Sequence, residues 1–373
     1  MAPSLPDRVR VVVLGAGQAG LSAAHFLARA GLQVDATDGF SVLDHNPGPG
    51  GAWQHRWPSL TLTTVNGVHD LPGMSFADTV SELVDESGDL PARVAVPRYF
   101  AAYEQAEKLQ VHRPVKVRQV HEHGAGFMIN TDRGELIADG IINATGTWEH
   151  PFRPHVRGAN TFTGRQLHTV DYTDAQEFAG QHVVVVGGGI SAVQLLEEIS
   201  HVTSTTWVTR RVPVWTEQPF TPELGRAAVA RVEERVRAGL PPESVVSVTG
   251  LLMTPTMRAA RDRGVLDRQP MFDRIVPDGV VWERADDAAE RRHLRADVIL
   301  WCTGFRSALD HLAPLGLRGH GGGIVMDGQL ATRVAARPRL HLLGYGPSAS
   351  TIGANRGGRV AVRELLATLD AGD

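Results

Sequence analysis

The chain has 373 residues, and its 37 lysines and arginines against 41 aspartates and glutamates give a formal net charge of -4. This balance excludes the broad basic surface with which proteins neutralise nucleic acid, so we expect no nucleic acid partner. A single cysteine, Cys302, excludes a disulfide framework or a dithiol redox pair and favours a reducing, cytoplasmic setting. No apolar run approaches the roughly 20 residues that a membrane-spanning helix requires, so we expect no membrane segment.

A glycine-rich motif follows the first apolar run of the chain. The run Val11, Val12, Val13, Leu14 precedes GAGQAG at residues 15–20, and LSAAHFLARAG follows. This order predicts a strand, a tight turn and a helix whose free N–H groups bind a pyrophosphate. The next strand is predicted in LQVDATD, ending at Asp38, 21 residues after Gly17. A carboxylate there can accept hydrogen bonds from ribose hydroxyls, which favours FAD.

The segment between the two glycine motifs combines a long connection with predicted regular elements. Residues 47–76 are glycine- and proline-rich and contain GGAW at 50–53, and loops of this length are usually functional. RYFAAYEQAEKL, after Pro97, has the spacing of a packing helix. VKVRQV and GFMINTD predict a hairpin, and GIINATG predicts a buried strand that ends in a turn.

A second glycine motif has the same surroundings but the opposite charge at the ribose position. Val183–Val186 precede GGGISA at residues 187–192, and VQLLEEI continues as a helix. Counting 21 residues from Gly189 reaches Arg210, which lies near the end of the predicted strand TTWVTRR, directly before Arg211. Two guanidinium groups suit a 2′-phosphate, so this motif predicts an NADPH site.

The rest of the chain predicts one charged helix and a return to the first domain. The helix is ELGRAAVARVEERVRAG; RADVILWCTGF reads as a buried strand, and the tail has a strand, a glycine-rich turn and a final helix. We therefore predict an α/β fold with two Rossmann-like dinucleotide-binding domains, the second inserted into the first. Residues 1–155 and 290–373 form the FAD-binding domain, and residues 156–289 form the NADPH-binding domain with a helical insert at about 216–280. No metal site is predicted.

Taken together, these motifs resemble the class B flavoprotein monooxygenases, which include the flavin-containing monooxygenases, the Baeyer-Villiger monooxygenases and related plant auxin-synthesis enzymes. The most specific match is FTGRQLHTVDY at 162–172, which places Phe162, Gly164, His168 and Tyr172 at the positions of the family signature. Tyr172 at the last position is similar to the flavin-containing monooxygenase branch, since Baeyer-Villiger enzymes usually carry tryptophan there.

The resemblance implies a reaction. NADPH reduces FAD, and the reduced flavin captures O2 as a C4a-(hydro)peroxyflavin that gives one oxygen atom to a small organic substrate, with N- or S-oxygenation favoured. Baeyer-Villiger oxidation of a ketone stays open, as does an NADPH-dependent flavoprotein reductase that does not activate oxygen. A redox-sensing flavoprotein is a third alternative. We expect a cytoplasmic monomer or homodimer whose partners are the substrate and O2.

Candidate site residues follow from the motifs and the resemblance together. Asn66 and His168 are the candidate catalytic residues, although His168 taken alone is typical of a hydrogen-bonded loop histidine. The expected FAD-binding residues are Gly15, Gly17, Gln18, Ala19, Gly20, Asp38, Gly51, Ala52, Trp53, Val117, Ala144, Thr145, Gly146 and Gly346. The expected NADPH-binding residues are Gly187, Gly189, Ile190, Ser191, Ala192, Arg210 and Arg211, and Thr303 and Gly304 complete the set of expected cofactor contacts.

Overall fold

The computed structural model describes residues 4–65, 67–81, 89–217, 222–242, 250–283 and 292–372. Its strands are β1 Arg8–Leu14, β2 Phe40–Leu43, β3 Val111–His112, β4 Val117–His123, β5 Gly126–Thr131, β6 Gly134–Asn143, β7 Arg165–His168, β8 Val183–Val186, β9 Thr205–Thr209, β10 Trp215–Thr216, β11 Leu251–Leu252, β12 Gln269–Pro270, β13 Arg274–Val276, β14 Gly279–Trp282, β15 Arg292–Arg295, β16 Val298–Trp301, β17 Met326–Asp327, β18 Arg333–Val334 and β19 Arg337–Leu342. Its α-helices are α1 Gln18–Arg29, α2 Phe76–Val80, α3 Ala92–Ala106, α4 Ile190–Ser200, α5 Pro222–Arg237, α6 Pro255–Asp262 and α7 Thr351–Asp370.

The chain divides into two compact α/β units, which confirms the predicted fold class. The first unit contains Met1–Glu149, Arg226–Val245 and Ser307–Asp373, and the second contains His150–Gly225 and Val246–Arg306. The expected bounds differ from this division at three places. Residues 150–155 belong to the second unit, which begins at His150. Residues 290–306 belong to the second unit because β16 lies between β8 and β7 in its sheet. Residues 226–245 belong to the first unit, where Val236 of α5 is buried in the core.

The first unit is built on a sheet in the order β17-β18-β19-β6-β1-β2-β3, with the hairpin β4–β5 joined to β6. Val11–Leu14 are fully buried because both faces of the parallel sheet are covered, as their continuous apolar run predicts. α1 and α7 pack together in the same core, and the hairpin prediction is confirmed. α3 begins at Ala92, before the predicted start after Pro97, and includes Pro97 within its length.

β2 is not the strand that the sequence predicted. The segment LQVDATD forms an irregular stretch with a turn, in which the Gly39 amide donates to the Ala36 carbonyl over 2.9 Å. The strand is instead the following apolar run, Phe40–Leu43, whose four residues are all buried. It runs parallel to β1, and its Phe40 is paired with Val11 of β1. The Asp-Gly pair at 38–39 favours a turn, and burial of FSVL places the strand after it.

The second unit is built on a five-stranded parallel sheet in the order β12-β9-β8-β16-β7, and an antiparallel sheet of β13, β14 and β15 accompanies it. β16 confirms the buried strand predicted in RADVILWCTGF, and α5 confirms the charged helix. In the part of the chain that the structure describes, no helix is long and apolar enough to cross a membrane.

Candidate cofactor sites

The first glycine turn lies between β1 and α1 and has no room for side chains at two of its glycines. Gly15 has a φ of 98°, and a Cβ there would lie 2.5 Å from the Ala144 carbonyl oxygen. A Cβ on Gly20 would lie 1.8 Å from the Gly15 carbonyl oxygen. The turn therefore packs directly on the ATG segment, Ala144, Thr145 and Gly146, which follows β6.

Gly17 faces open space and directly precedes α1. A Cβ on Gly17 would meet no atom within 4 Å, and no side chain caps the helix. The Leu21 amide donates to the Gly17 carbonyl over 3.0 Å, so the amides of Gln18, Ala19 and Gly20 precede the first helical hydrogen bond. These amides and the helix dipole suit a phosphate group.

The GGAW segment lies against this turn. It forms a 3-10 helix over Gly51–His55 that includes Ala52 and Trp53, and a Cβ on Gly51 would lie 3.0 Å from the Gly17 Cα. Because Gly51 has a φ of 50°, a side chain there would be strained in any case. Glycine at this position lets two backbone segments approach each other where we expect the pyrophosphate.

Asp38, the predicted ribose-binding carboxylate, lies at the other end of β2 from the glycine turn. The glycine turn leaves the carboxyl end of β1, and the Gly15 amide donates to the Leu43 carbonyl at the carboxyl end of β2. Asp38 precedes β2 and so lies at the opposite edge, separated by a four-residue strand of about 13 Å. Asp44, directly after Leu43, is the acidic residue at the correct edge. The sequence feature that indicates Asp44 is an acidic residue directly after the apolar run FSVL, and a fixed count of 21 residues from Gly17 does not reach it.

Asp44 is buried and oriented by neighbours of its own unit. Its Oδ2 accepts from Arg113 Nε over 3.0 Å, and its Oδ1 accepts from Asn46 Nδ2 over 3.0 Å. Arg113 also makes two 2.7 Å bonds to Glu104, and although burial alone lowers the pKa of the guanidinium, its bonds to Glu104 and Asp44 raise that pKa overall. The Val115 amide donates to the Asp44 carbonyl. The candidate residue Val117 therefore lies two residues after a direct contact with Asp44.

The ATG segment is also tied to the C-terminal part of the first unit. Thr145 Oγ1 donates to the Ala308 carbonyl over 2.7 Å, and a Cβ on Gly344 would lie 3.8 Å from the Gly146 Cα. The glycine-rich turn of the tail, which includes Gly346, therefore begins next to the ATG segment.

The second glycine turn repeats this geometry within the second unit. A Cβ on Gly187 would lie 2.2 Å from the Cys302 carbonyl oxygen, so the turn packs against the residues that follow β16. Gly189 faces open space and precedes α4, whose first residues are Ile190, Ser191 and Ala192. The unsatisfied amides at this helix start suit a second pyrophosphate.

Arg210 and Arg211 lie at the same edge of the second sheet as this turn. They directly follow β9, and the Gly187 amide donates to the Val208 carbonyl near the end of that strand. Thr209 Oγ1 donates to the Arg211 carbonyl over 2.7 Å, which fixes the turn after the strand. Both arginines are exposed, and among the described residues neither forms an ion pair.

His168 is buried, and both of its ring nitrogens are engaged. Its Nδ1 accepts from the Val170 amide over 3.4 Å, and its Nε2 donates to the Gly304 carbonyl over 3.1 Å. Burial lowers the pKa of the imidazole, which favours the neutral ring that these two bonds require. The ring connects the end of β7 to the Thr303–Gly304 turn, where the Thr303 hydroxyl donates to the Phe152 carbonyl. His168 is thus placed as a positioning residue, and Asn66 lies outside the described residues.

The other signature residues pack around β7. A Cβ on Gly164 would lie 2.2 Å from the Asp297 carbonyl oxygen and 2.6 Å from the Phe162 ring, so only glycine lets the strand begin there. Tyr172 is buried and stacks on Phe178 with 6.0 Å between ring centroids. Burial, together with Glu198, raises the pKa of the Tyr172 hydroxyl, which stays protonated.

Cys302 is unsuited to thiol chemistry. It is buried, and burial raises the pKa of its thiol to about 12. A thiol with that pKa carries almost no thiolate at neutral pH.

Two nucleotide-type βαβ units with glycine turns place the chain in the class of two-domain flavoprotein oxidoreductases. The family model described as Pyridine nucleotide-disulphide oxidoreductase matches residues 12–244. The chain belongs to this family.

Known proteins narrow the resemblance to flavoprotein monooxygenases. A flavin-containing monooxygenase from Stenotrophomonas maltophilia is 36% identical, with a TM-score of 0.78 and coverage of 97% of this chain and 99% of that chain. A Baeyer-Villiger monooxygenase from Streptomyces coelicolor is 28% identical over 236 residues, 63% of this chain and 43% of that protein. An uncharacterised oxidoreductase from Bacillus velezensis is 28% identical over 204 residues, 55% of each. The chain spans about half the length of the curated relatives it matches. These similarities confirm the family resemblance inferred from the sequence.

Proposed function

We propose that the chain is an FAD- and NADPH-dependent monooxygenase that transfers one oxygen atom of O2 to a small organic substrate, by N- or S-oxygenation. The observation that carries the proposal is a pair of open glycine turns with opposite charges beside them. Asp44 follows the strand next to the first turn, and Arg210 and Arg211 follow the strand next to the second.

The first unit has the donor set that FAD requires. Gly17 leaves space before the α1 amides, and Asp44 keeps a lone pair on Oδ2 beyond the one that Arg113 occupies. In this proposal those amides hold the pyrophosphate, and Asp44 accepts hydrogen bonds from the adenylate ribose. The ATG segment and Gly51 supply backbone surfaces that admit a flat nucleotide because they carry little or no side chain.

The second unit has the donor set that NADPH requires. The α4 amides face the pyrophosphate, and Arg210 and Arg211 pair with the 2′-phosphate. When both nucleotides are bound, the nicotinamide supplies a hydride and the reduced flavin supplies the activation of O2. His168 fixes the Thr303–Gly304 turn through its Nε2 and takes no part in proton transfer in this proposal.

A thiol-dependent reductase finds no support in the residues. Disulfide reduction through the protein requires two cysteines, and this chain has one, which is buried. Tyr172 at the end of the signature supports the heteroatom-oxygenating branch, by the resemblance stated for the sequence.

The proposal is tested by measuring whether the electrons of NADPH reach hydrogen peroxide or an oxygenated substrate. The protein is reconstituted with FAD, reduced anaerobically with NADPH or NADH, and exposed to O2 with and without an amine or a dialkyl sulfide. We expect NADPH to reduce the flavin more readily than NADH, and an oxidisable substrate to lower the hydrogen peroxide released per NADPH. Complete recovery of electrons as hydrogen peroxide with every amine and sulfide would contradict the proposal.

A further inference from the structure

Arg56 is a partly buried cation with no anionic partner among the residues that the structure describes. It follows the 3-10 helix Gly51–His55, and its guanidinium carbon lies 4.7 Å from the Trp148 ring centroid and 5.7 Å from that of Trp53. Its Nε is buried and makes no hydrogen bond to any described residue. Two aromatic faces hold the side chain, but they do not satisfy its N–H donors.

The neighbouring carboxylates are already engaged. Asp44 pairs with Arg113 over 3.0 Å, and Glu149 pairs with His45 over 2.6 Å. Burial lowers the pKa of Arg56 to about 10, and no charged neighbour offsets this effect. A guanidinium nitrogen shielded from water without a partner is costly, so the arrangement favours an anion that the described residues do not supply.

The contacts of Arg56 place it at the edge of the sheet where the first nucleotide is expected. Trp148 follows Gly146 of the ATG segment by two residues, after β6. His55 stacks on Trp148 at 6.1 Å between centroids and bonds to Asn46, which follows β2 by three residues. At its other end the same 3-10 helix has Gly51 against Gly17, after β1. Residues that follow three neighbouring strands, β1, β2 and β6, thus contact the 3-10 helix or Arg56 itself, and ligands of open parallel sheets bind at such an edge.

We propose that Arg56, held between Trp53 and Trp148, binds the pyrophosphate of the flavin nucleotide. This inference rests on the proposed function. The α1 amides are neutral dipoles, whereas a pyrophosphate is an anion, so one guanidinium supplies the charge that the glycine turn lacks. The guanidinium plane can give paired hydrogen bonds to phosphate oxygens while its faces stay on the two indoles. Stacking fixes the side chain before the ligand arrives and reduces the entropy lost on binding.

The test compares ligands that contain a pyrophosphate with one that does not. Apo-protein is titrated with FAD, ADP and adenosine by calorimetry, using the wild type, Arg56→Gln and Arg56→Lys. We expect Arg56→Gln to weaken FAD and ADP about tenfold to a hundredfold and adenosine less than about twofold. Arg56→Lys keeps the charge without the planar donors and should fall between the wild type and Arg56→Gln.

Arg292→Gln is the matched control, because Arg292 also lies over an indole, 5.0 Å from the Trp282 centroid, but is exposed and belongs to the second unit. It should leave all three affinities unchanged. Unaltered FAD and ADP binding in folded Arg56→Gln, or an equal loss for ADP and adenosine, would overturn the inference. If Arg56→Gln does not fold, Arg56→Lys decides by the same comparison. A wild-type protein that binds neither FAD nor ADP would instead refute the proposed function itself.

Discussion

Exchanging the carboxylate at each end of β2 for an amide tests where the flavin ribose is held. Asp44→Asn removes the ionised acceptor at the carboxyl end, and Asp38→Asn makes the same change at the amino end, about 13 Å away. A hydrogen bond to a charged group contributes about 1.5–3 kcal/mol, so Asp44→Asn should weaken FAD about tenfold to 150-fold. Asp38→Asn should leave the affinity for FAD within about twofold of the wild type.

The assay must separate ribose recognition from folding, because Asp44 also pairs with Arg113. Arg113 keeps its two bonds to Glu104 in the variant, so we expect Asp44→Asn to lower the free energy of unfolding by only about 1–2 kcal/mol. Urea denaturation measures this loss, and titration of the apo-protein with FAD and with FMN measures binding. FMN lacks the adenylate ribose, so its affinity should not change. A loss of FAD affinity in Asp38→Asn, with none in Asp44→Asn, would refute the reasoning.

The remaining predictions concern the second site and the pH dependence of stability. Arg210→Ala should weaken NADPH by about 1.5–3 kcal/mol and NADH hardly at all in equilibrium titrations, and an equal loss for both would contradict the 2′-phosphate assignment. Gly187→Ala should destabilise the fold, because its Cβ would lie 2.2 Å from the Cys302 carbonyl oxygen, whereas Gly189→Ala should keep the melting temperature and lose NADPH affinity. Burial lowers the pKa of His341 to about 3, so protons bind more readily to the unfolded chain and stability falls as the pH falls below 6.5. Between pH 7 and pH 5 the protonation of His341 in the unfolded chain lowers the free energy of unfolding by about 2 kcal/mol. Urea denaturation at the two pH values measures this loss, and His341→Gln should make the loss smaller by that amount. An unchanged loss in the variant would show that His341 is not responsible.

The sequence predicted the two strand–glycine turn–helix segments because the signals for them are local. A glycine turn between an apolar strand and a helix occupies few residues, and the structure leaves no space for a Cβ at Gly15, Gly20 and Gly187. The count from Gly189 reaches the residue directly after β9 because the connection between α4 and β9 is short. The count from Gly17 stops before β2, because a turn at residues 36–39 precedes that strand and a fixed offset does not register such a turn.

Other features depend on contacts that are distant in sequence. The helix α5 reads as an amphipathic segment, but nothing local indicates that Val236 is buried in the core of the first unit. In the sequence, Arg56 is an arginine within a loop that contains aromatic residues. Its contact with Trp148 could not be predicted, because Trp148 is distant in sequence. His168 ends β7, and the two hydrogen bonds of its ring to Gly304 and Val170 are contacts that its sequence surroundings do not indicate.

The fate of isotopically labelled dioxygen tests the central claim most directly. The FAD-loaded protein is given NADPH, labelled O2 and a dialkyl sulfide, and the products are analysed by mass spectrometry. We predict a sulfoxide that carries one labelled oxygen atom, formed in proportion to the NADPH consumed. If the sulfide is recovered unreacted and all of the label is found in hydrogen peroxide and water, the claim of monooxygenase activity is contradicted. The protein would then be a flavoprotein that only reduces its acceptor.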